Sequence, residues 1–241
     1  MALNLVIIPL AFTGALSWLN RQTKKILVTY YGPNSQVWLG GLGIMIHETS
    51  HLIAALIFSH RIDAVKLLQF PSADQQTLGY VRHSWNQQSK YQQLGNFFIG
   101  LAPVVGCSLV LAGLGFWLVP NLMYTLMAWG INLSSGQLAA SPDLRIDKWW
   151  HILLFIILAT NISWGGFDLS PADLQNTSTG AWLWGVVLVV GTLTLTLVSP
   201  HGTWLSGLKY LGWSWAILLG FALLLSLFLQ LILRIVIRFT K

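Results

Sequence analysis

The sequence predicts an all-α polytopic membrane protein with about six transmembrane helices and a small β-hairpin between the second and the third. Two observations support this fold class. Of the 241 residues, 55% are hydrophobic and only 8% are charged, whereas an ordinary soluble domain has about 25% charged residues. In addition, several apolar runs approach the length of about 20 residues that a helix needs to cross a bilayer.

Six apolar runs define the predicted membrane segments. The first lacks the basic stretch that precedes the apolar part of a cleavable signal peptide, so we interpret it as a retained anchor. The fourth is short and is expected to span only beside its neighbours. Together they predict one integral membrane domain over residues 1–241, with its core at 37–198, in a cell membrane. The runs are residues 3–19, 37–58, 97–119, 149–162, 181–198 and 211–239.

The net charge of +6 lies in loops and at the C-terminus, where Arg234 and Arg238 end the last apolar run. Basic residues at membrane ends usually meet lipid headgroups, so the expected partner is the bilayer and not nucleic acid. The single cysteine, Cys107, allows neither an internal disulfide nor a thiol-rich metal site. Any metal would therefore be bound by His, Asp or Glu.

The polar stretch after the second apolar run has strand character. Residues 64–70 and 78–85 are rich in Val, Leu, Tyr and Phe, and a joint rich in turn formers separates them. This composition favours a β-hairpin over residues 64–85, and the alternative is a plain surface connection. The joint is Pro71, Ser72, Ala73 and Asp74.

The second apolar run contains the pattern H-E-x-x-H at His47, Glu48 and His51. On a helix the two histidines lie one turn apart on one face, the spacing that lets two imidazoles reach one zinc ion. Glu48 is the only glutamate in the chain, and a carboxylate at the centre of a membrane helix costs about 2.5–3.5 kcal/mol. A bound cation would offset that cost. The alternative is a buried polar cluster with a protonated Glu48.

A catalytic zinc ion usually has three protein ligands, and the candidates for the third are few. Asp63 and Asp74 belong to the polar connection, while Asp143 and Asp147 bracket Arg145 and Lys148 in what we expect to be a solvated, self-neutralising loop. Asp168 and Asp173 remain. The other histidines are expected to be interfacial or hydrogen-bonded and not metal ligands. They are His60, His83, His151 and His201.

The order of these features resembles the site-2 protease family of intramembrane zinc metalloproteases. It consists of H-E-x-x-H in a membrane helix, a hairpin, Gly100-Leu101-Ala102-Pro103 in the next helix, and an aspartate that opens a later helix. The likeness covers about residues 37–198. It implies that His47, His51 and an aspartate bind Zn²⁺, that Glu48 is the general base, and that the hairpin holds a membrane-protein substrate in extended form.

The aspartate that the resemblance selects is Asp173. In the family's better-known motif the aspartate is followed by Gly, whereas Leu174 follows Asp173, as in a small bacterial branch of zincin peptidases. Ser170 and Pro171 favour a helix start that fixes Asp173 in the first turn. Asp168 lies outside that helix. The alternative role of Asp173 is to complete a capping box with Ser170.

The sequence thus predicts a zinc endopeptidase of a bacterial cytoplasmic membrane, with Asn161, Ser163 and the polar stretch to Asn176 lining a water path. The alternative is a transporter or metal-binding membrane protein that uses the same ionisable residues without cleaving peptides. A haem site is disfavoured because His47 and His51 share one helix face.

Overall fold

The computed structural model describes residues 7–72, 75–136, 147–199 and 203–239. These contain seven helices and two strands in the order α1, α2, β1, β2 and α3 to α7. The helices are α1 Ile8–Tyr31, α2 Ser35–Ile57, α3 Lys90–Leu118, α4 Pro120–Ser135, α5 Trp149–Gly166, α6 Pro171–Val198 and α7 Thr203–Phe239, and the strands are β1 Arg61–Lys66 and β2 Tyr80–Ser84.

Five helices, α2, α3, α5, α6 and α7, are long and apolar enough to cross a membrane. They correspond to five of the predicted runs and make this a multi-pass membrane protein. The predicted sixth span is not confirmed. Residues 3–19 begin outside the described part of the chain, and α1 continues through Arg21, Lys24 and Lys25, three charges that disfavour burial in lipid.

The predicted hairpin is confirmed, with both strands starting or ending a few residues from the expected positions. Arg61 pairs with Ser84 and Lys66 with Tyr80 in antiparallel register, and a bulge interrupts the pairing between Ile62 and Ala64. Beyond the strands, the backbone N–H of Gln69 donates to the Leu78 carbonyl (2.8 Å). Of the predicted joint, Ala73 and Asp74 lie outside the described residues.

Contacts between Cα atoms divide the chain into two compact units. One comprises Met1–Leu19, Ser108–Thr160 and Leu195–Lys241, and in it α4 packs on α7. The sequence analysis did not predict α4. This helix lies close to α7 at Gly130, where an added Cβ atom would lie 2.6 Å from Ser214 Oγ.

The start of α4 also corrects the expected role of Asp147. Its carboxylate accepts hydrogen bonds from Asn121 Nδ2 (2.8 Å) and from the backbone N–H of Leu122 (3.3 Å). Asp147 therefore caps the first turn of α4, whose N–H groups lack partners within the helix, and does not lie in a purely solvated loop. Asp143 and Arg145, its expected companions, are outside the described residues.

The second unit comprises Asn20–Cys107 and Asn161–Thr194. It contains the hairpin, α2, and parts of α1, α3, α5 and α6, and it holds every residue of the predicted metal site. Ala54, Ala55 and Ile99 form a buried cluster against which Ile62 and Ala102 pack, so apolar contacts join α2, α3 and β1.

Candidate metal centre

The two motif histidines lie side by side within α2, as the spacing of one helical turn predicts. His47 and His51 are both buried, with 7% and 6% of their surface exposed. Their ring centroids are 4.8 Å apart, and the two Nε2 atoms are separated by 3.1 Å. One face of α2 therefore presents two imidazole nitrogens to a single point.

Backbone carbonyl groups determine which nitrogen of each ring bears the proton. His47 Nδ1 lies 2.8 Å from the carbonyl oxygen of Gly166, and His51 Nδ1 lies 2.7 Å from that of Ile99. A carbonyl can only accept, so we assign both protons to Nδ1. The Nε2 lone pairs then face each other across 3.1 Å. Such backbone contacts to the outer nitrogen are the usual support of metal-binding histidines.

Asp173 brings a carboxylate to the same point. Its Oδ1 lies 3.0 Å from His51 Nε2, and its Oδ2 lies 3.7 Å from His47 Nε2. One ligand atom from each of the three residues falls within 4.8 Å of the others, and all three residues are buried. Two lone pairs and a carboxylate in close contact repel one another unless a proton or a metal cation lies among them. The group could therefore hold a metal ion.

The capping box considered as the alternative role of Asp173 is also present. The N–H of Ser170 donates to Asp173 Oδ2 (2.6 Å), and the N–H of Asp173 donates to Ser170 Oγ (3.2 Å). The two roles are compatible because a carboxylate has two oxygens with about four acceptor positions. The cap fixes the carboxylate at the start of α6, in the orientation that reaches the histidines.

Asp173 reaches α2 because α6 packs closely on α3. A Cβ atom on Gly100 would collide with the Asp173 carbonyl oxygen and with Thr177, and one on Gly180 would lie 2.5 Å from the Phe97 nitrogen. Glycines at both positions let the helix backbones touch. Asp173 is thereby buried beside His51, which also receives its carbonyl partner from α3.

Asp168, the other candidate ligand, has different partners. Its Oδ1 accepts from Arg21 Nε (3.0 Å) and its Oδ2 from Lys24 Nζ (2.9 Å), both on α1. Arg21 also donates to the Leu169 carbonyl. Asp63 lies on the hairpin, where it accepts from Ser84 Oγ (3.2 Å). Asp173 is thus the carboxylate that the structure groups with the two histidines.

Glu48 is half-buried and faces the hairpin. A Cβ atom on Gly79 would lie 2.8 Å from Glu48 Cγ, so only a residue without a side chain fits above the glutamate. Glu48, the three grouped residues and residues 77–81 line one cavity of about 690 Å³. The predicted general base, the candidate ligands and the edge of the hairpin therefore meet in a space large enough for a peptide segment.

Only some of the residues predicted to line a water path border the cavity. Asn176 lines the cavity, whereas Asn161 and Ser163 do not. Asn161 instead inserts its side chain against α2, where Oδ1 accepts from the N–H groups of Leu42 (2.8 Å) and Gly43 (3.3 Å). Sequence reasoning missed this contact, which holds α5 against α2 one turn before His47.

The remaining histidines that the structure describes are not part of this group. His60 Nε2 donates to the Gln92 carbonyl (2.9 Å), so its Nδ1 accepts from His83 Nδ1 at 3.0 Å. This confirms that both are hydrogen-bonded histidines. Burial lowers the pKa of His60, and burial together with the nearby His60 lowers the pKa of His83 to about 4. The ring of His151 packs on Trp150, and His201 is outside the described residues.

Comparison of the chain with protein-family models, with curated proteins and with solved structures gave no match. The chemistry of the site must therefore be judged from its own residues.

Proposed function

We propose that this chain is an intramembrane zinc metalloprotease that hydrolyses peptide bonds in or near the transmembrane segments of other proteins. The observation that supports it most is the convergence of His47 Nε2, His51 Nε2 and the Asp173 carboxylate beside Glu48 in one cavity. Two imidazoles and one carboxylate make up the ligand set of many catalytic zinc sites, which keep a fourth position for water.

The donor atoms fit a zinc ion in spacing as well as in type. Two nitrogens bound at about 2.0–2.1 Å to one tetrahedral zinc ion lie about 3.3 Å apart, close to the 3.1 Å between the two Nε2 atoms. The distances from the Asp173 carboxylate oxygens to His51 Nε2 and His47 Nε2, 3.0 and 3.7 Å, lie on either side of that value. A zinc ion held by these residues would polarise the scissile carbonyl group and acidify the attacking water.

Glu48 supplies the proton transfer in this proposal. A Glu48 carboxylate oxygen accepts a proton from the attacking water and returns it to the nitrogen of the leaving amine. His47 and His51 retain their Nδ1 protons throughout, because those protons are held by the carbonyl groups of Gly166 and Ile99. Their role is to hold position and not to exchange protons.

In this proposal the hairpin binds the part of the substrate that has unwound. A transmembrane helix satisfies its carbonyl groups with its own hydrogen bonds, and a peptide bond becomes accessible only when those bonds open. Residues 77–81 line the cavity beside Glu48, where backbone groups at a strand edge can pair with an extended peptide. This pairing would offset part of the cost of unwinding.

The alternative is a transporter or metal-binding membrane protein that cleaves nothing. Such a protein would carry acidic groups along several spans. In the five candidate spans the acidic residues are Glu48 and Asp173 alone, and both belong to the site. This concentration favours a single reaction centre over a path through the membrane.

We further propose that the protein lies in a bacterial cytoplasmic membrane and that the first apolar run, residues 3–19, forms a sixth span.

The test is Glu48→Gln in the full-length protein, measured for zinc content and for cleavage of transmembrane peptides in proteoliposomes. We expect zinc to stay bound, because both imidazoles and Asp173 remain, and cleavage to fall to background. His47→Ala is the matched variant and should lose both. Cleavage that persists in Glu48→Gln would refute the mechanism, and a zinc-loaded wild-type protein that cleaves no peptide would favour the non-proteolytic alternative.

A further inference from the structure

A second charged group lies in the same cavity, apart from the candidate metal ligands. Arg21 and Lys24 come from the second half of α1, and Asp168 comes from the connection that precedes α6. Arg21 Nε lies 3.0 Å from Asp168 Oδ1, and Lys24 Nζ lies 2.9 Å from Asp168 Oδ2. The proposed hydrolysis assigns no role to these three residues.

Their charges do not balance. Two cations meet one carboxylate, which leaves one positive charge in excess. Lys24 and Asp168 expose only 22% and 15% of their side chains, and water screens charges poorly in such a setting. The excess positive charge on this wall of the cavity is therefore only weakly screened by water.

Both cations keep donors beyond those used in the contacts above. The Lys24 ammonium has three N–H donors, of which Asp168 takes one, and the Arg21 guanidinium has five, of which Asp168 and the Leu169 carbonyl take two. The Arg21 side chain is 45% exposed, so it is accessible to a ligand. The planar guanidinium suits a carboxylate, which it binds through two parallel hydrogen bonds.

The cavity also indicates what brings the carboxylate. Glu48, the candidate metal ligands and residues 77–81 of the hairpin line it together with Arg21 and Lys24. A peptide that pairs with the hairpin beside Glu48 therefore shares this space with the two cations. One excess positive charge in this group matches one carboxylate.

We propose that Arg21 and Lys24 form a subsite for a carboxylate of the peptide substrate, with Asp168 holding the two cations in place until the substrate binds. The proposal rests on the proposed protease function and adds a substrate class to it: peptides with an acidic side chain, or a free C-terminal carboxylate, next to the bond that is cleaved.

The test is peptide binding to the full-length, zinc-loaded Glu48→Gln protein in non-ionic detergent, so that affinity is measured without cleavage. Three peptides of otherwise equal sequence carry an Asp, an Asn, or an Asn with a free C-terminal carboxylate in place of the amide. We expect one of the two carboxylate peptides to bind about tenfold more tightly than the neutral one, the size of one charge-assisted hydrogen bond. Which of the two binds more tightly identifies the source of the carboxylate.

Variants of the three residues separate recognition from structural support. Lys24→Gln and Arg21→Gln should each reduce the affinity ratio towards one. Asp168→Asn should increase it, because the competing carboxylate is removed while both cations remain. Lys24→Glu should instead favour a peptide with Lys at the same position, and thermal unfolding of each variant reports whether it folds.

A ratio near one in the parent protein, or a loss of preference in Asp168→Asn equal to that in Lys24→Gln, would overturn the subsite. Displacement of all three peptides alike by phosphatidylglycerol would assign the cations to lipid and also overturn it. Failure of the proposed function gives a different pattern, in which the preference persists but wild-type protein cleaves none of the peptides.

Discussion

Replacing Asp173 by Asn tests the candidate metal centre most directly. The amide preserves the size of the side chain and an oxygen that can accept from the Ser170 N–H, but it removes the negative charge beside the two Nε2 atoms. Loss of a residue that only supports a metal ligand costs about 10–100-fold in metal affinity. Because Asp173 would be a ligand itself, we expect Asp173→Asn to weaken zinc binding by at least about 100-fold.

Two control variants separate the ligand role of Asp173 from its capping role. Ser170→Ala removes the Oγ that accepts from the Asp173 N–H, which should lower the free energy of unfolding by about 0.5–2 kcal/mol and leave zinc bound. Asp168→Asn removes a different carboxylate of the cavity, which pairs with Arg21 and Lys24, and should also retain zinc.

The assay is zinc content by mass spectrometry after dialysis, with the dissociation constant obtained by competition with a chelator. Wild-type zinc affinity in Asp173→Asn would refute the assignment of the ligand. Equal loss of zinc in Ser170→Ala would show that Asp173 acts on the site only through the helix start.

Three further predictions concern the hairpin and its neighbours. Gly79→Ala should lower cleavage by about tenfold or more with zinc retained, because the new Cβ would lie 2.8 Å from Glu48 Cγ and 2.9 Å from the Leu67 carbonyl oxygen. Gly185→Ala, where a Cβ meets open space, is the control and should leave cleavage unchanged. Acid should loosen the hairpin, because burial and the nearby His60 lower the pKa of His83 to about 4. The neutral form of His83 therefore stabilises the fold fully above about pH 6.5, and this stabilisation is lost as the pH falls towards 4. The contribution of His83 should then decrease hydrogen-exchange protection of β1 and β2 by at most about tenfold per pH unit below 6.5. His83→Gln should weaken the dependence; protection that rises on acidification would contradict it. Gly100→Val should separate α6 from α3 and reduce zinc content, since even a Cβ at Gly100 collides with the Asp173 carbonyl oxygen and with Thr177; unchanged zinc content would show that this helix contact does not position the ligand.

The motif in α2 was predictable because its geometry is local. A helix repeats every 3.6 residues, so His47 and His51 must share a face whatever surrounds them, and Glu48 must lie next to them. The hairpin was predictable for a similar reason, since two runs rich in Val, Leu, Tyr and Phe and a joint rich in turn formers favour it within one short stretch. Its strand bounds differ from the predicted runs, and the bulge between Ile62 and Ala64 falls where the first of those runs begins.

Helix α4 was not predicted because the contacts that stabilise it are not local in sequence. Residues 120–135 include Asn121, Gly130 and Asn132 and contain no apolar run of membrane-spanning length. They form α4 because Asp147 caps its first turn and because Gly130 permits close contact with Ser214 of α7. Both partners are distant in sequence, so no periodicity within the segment reports them.

The sequence by itself therefore determined the membrane class of this protein, the two histidines on one face of a helix with Glu48 next to them, and the helix start that contains Asp173. Each follows from composition or from spacing within a few residues. Only the tertiary structure decided that Asp173 joins the histidines while Asp168 pairs with Arg21 and Lys24. That choice depends on how closely α6 approaches α3 at Gly100, and such packing results from contacts between residues far apart in the chain.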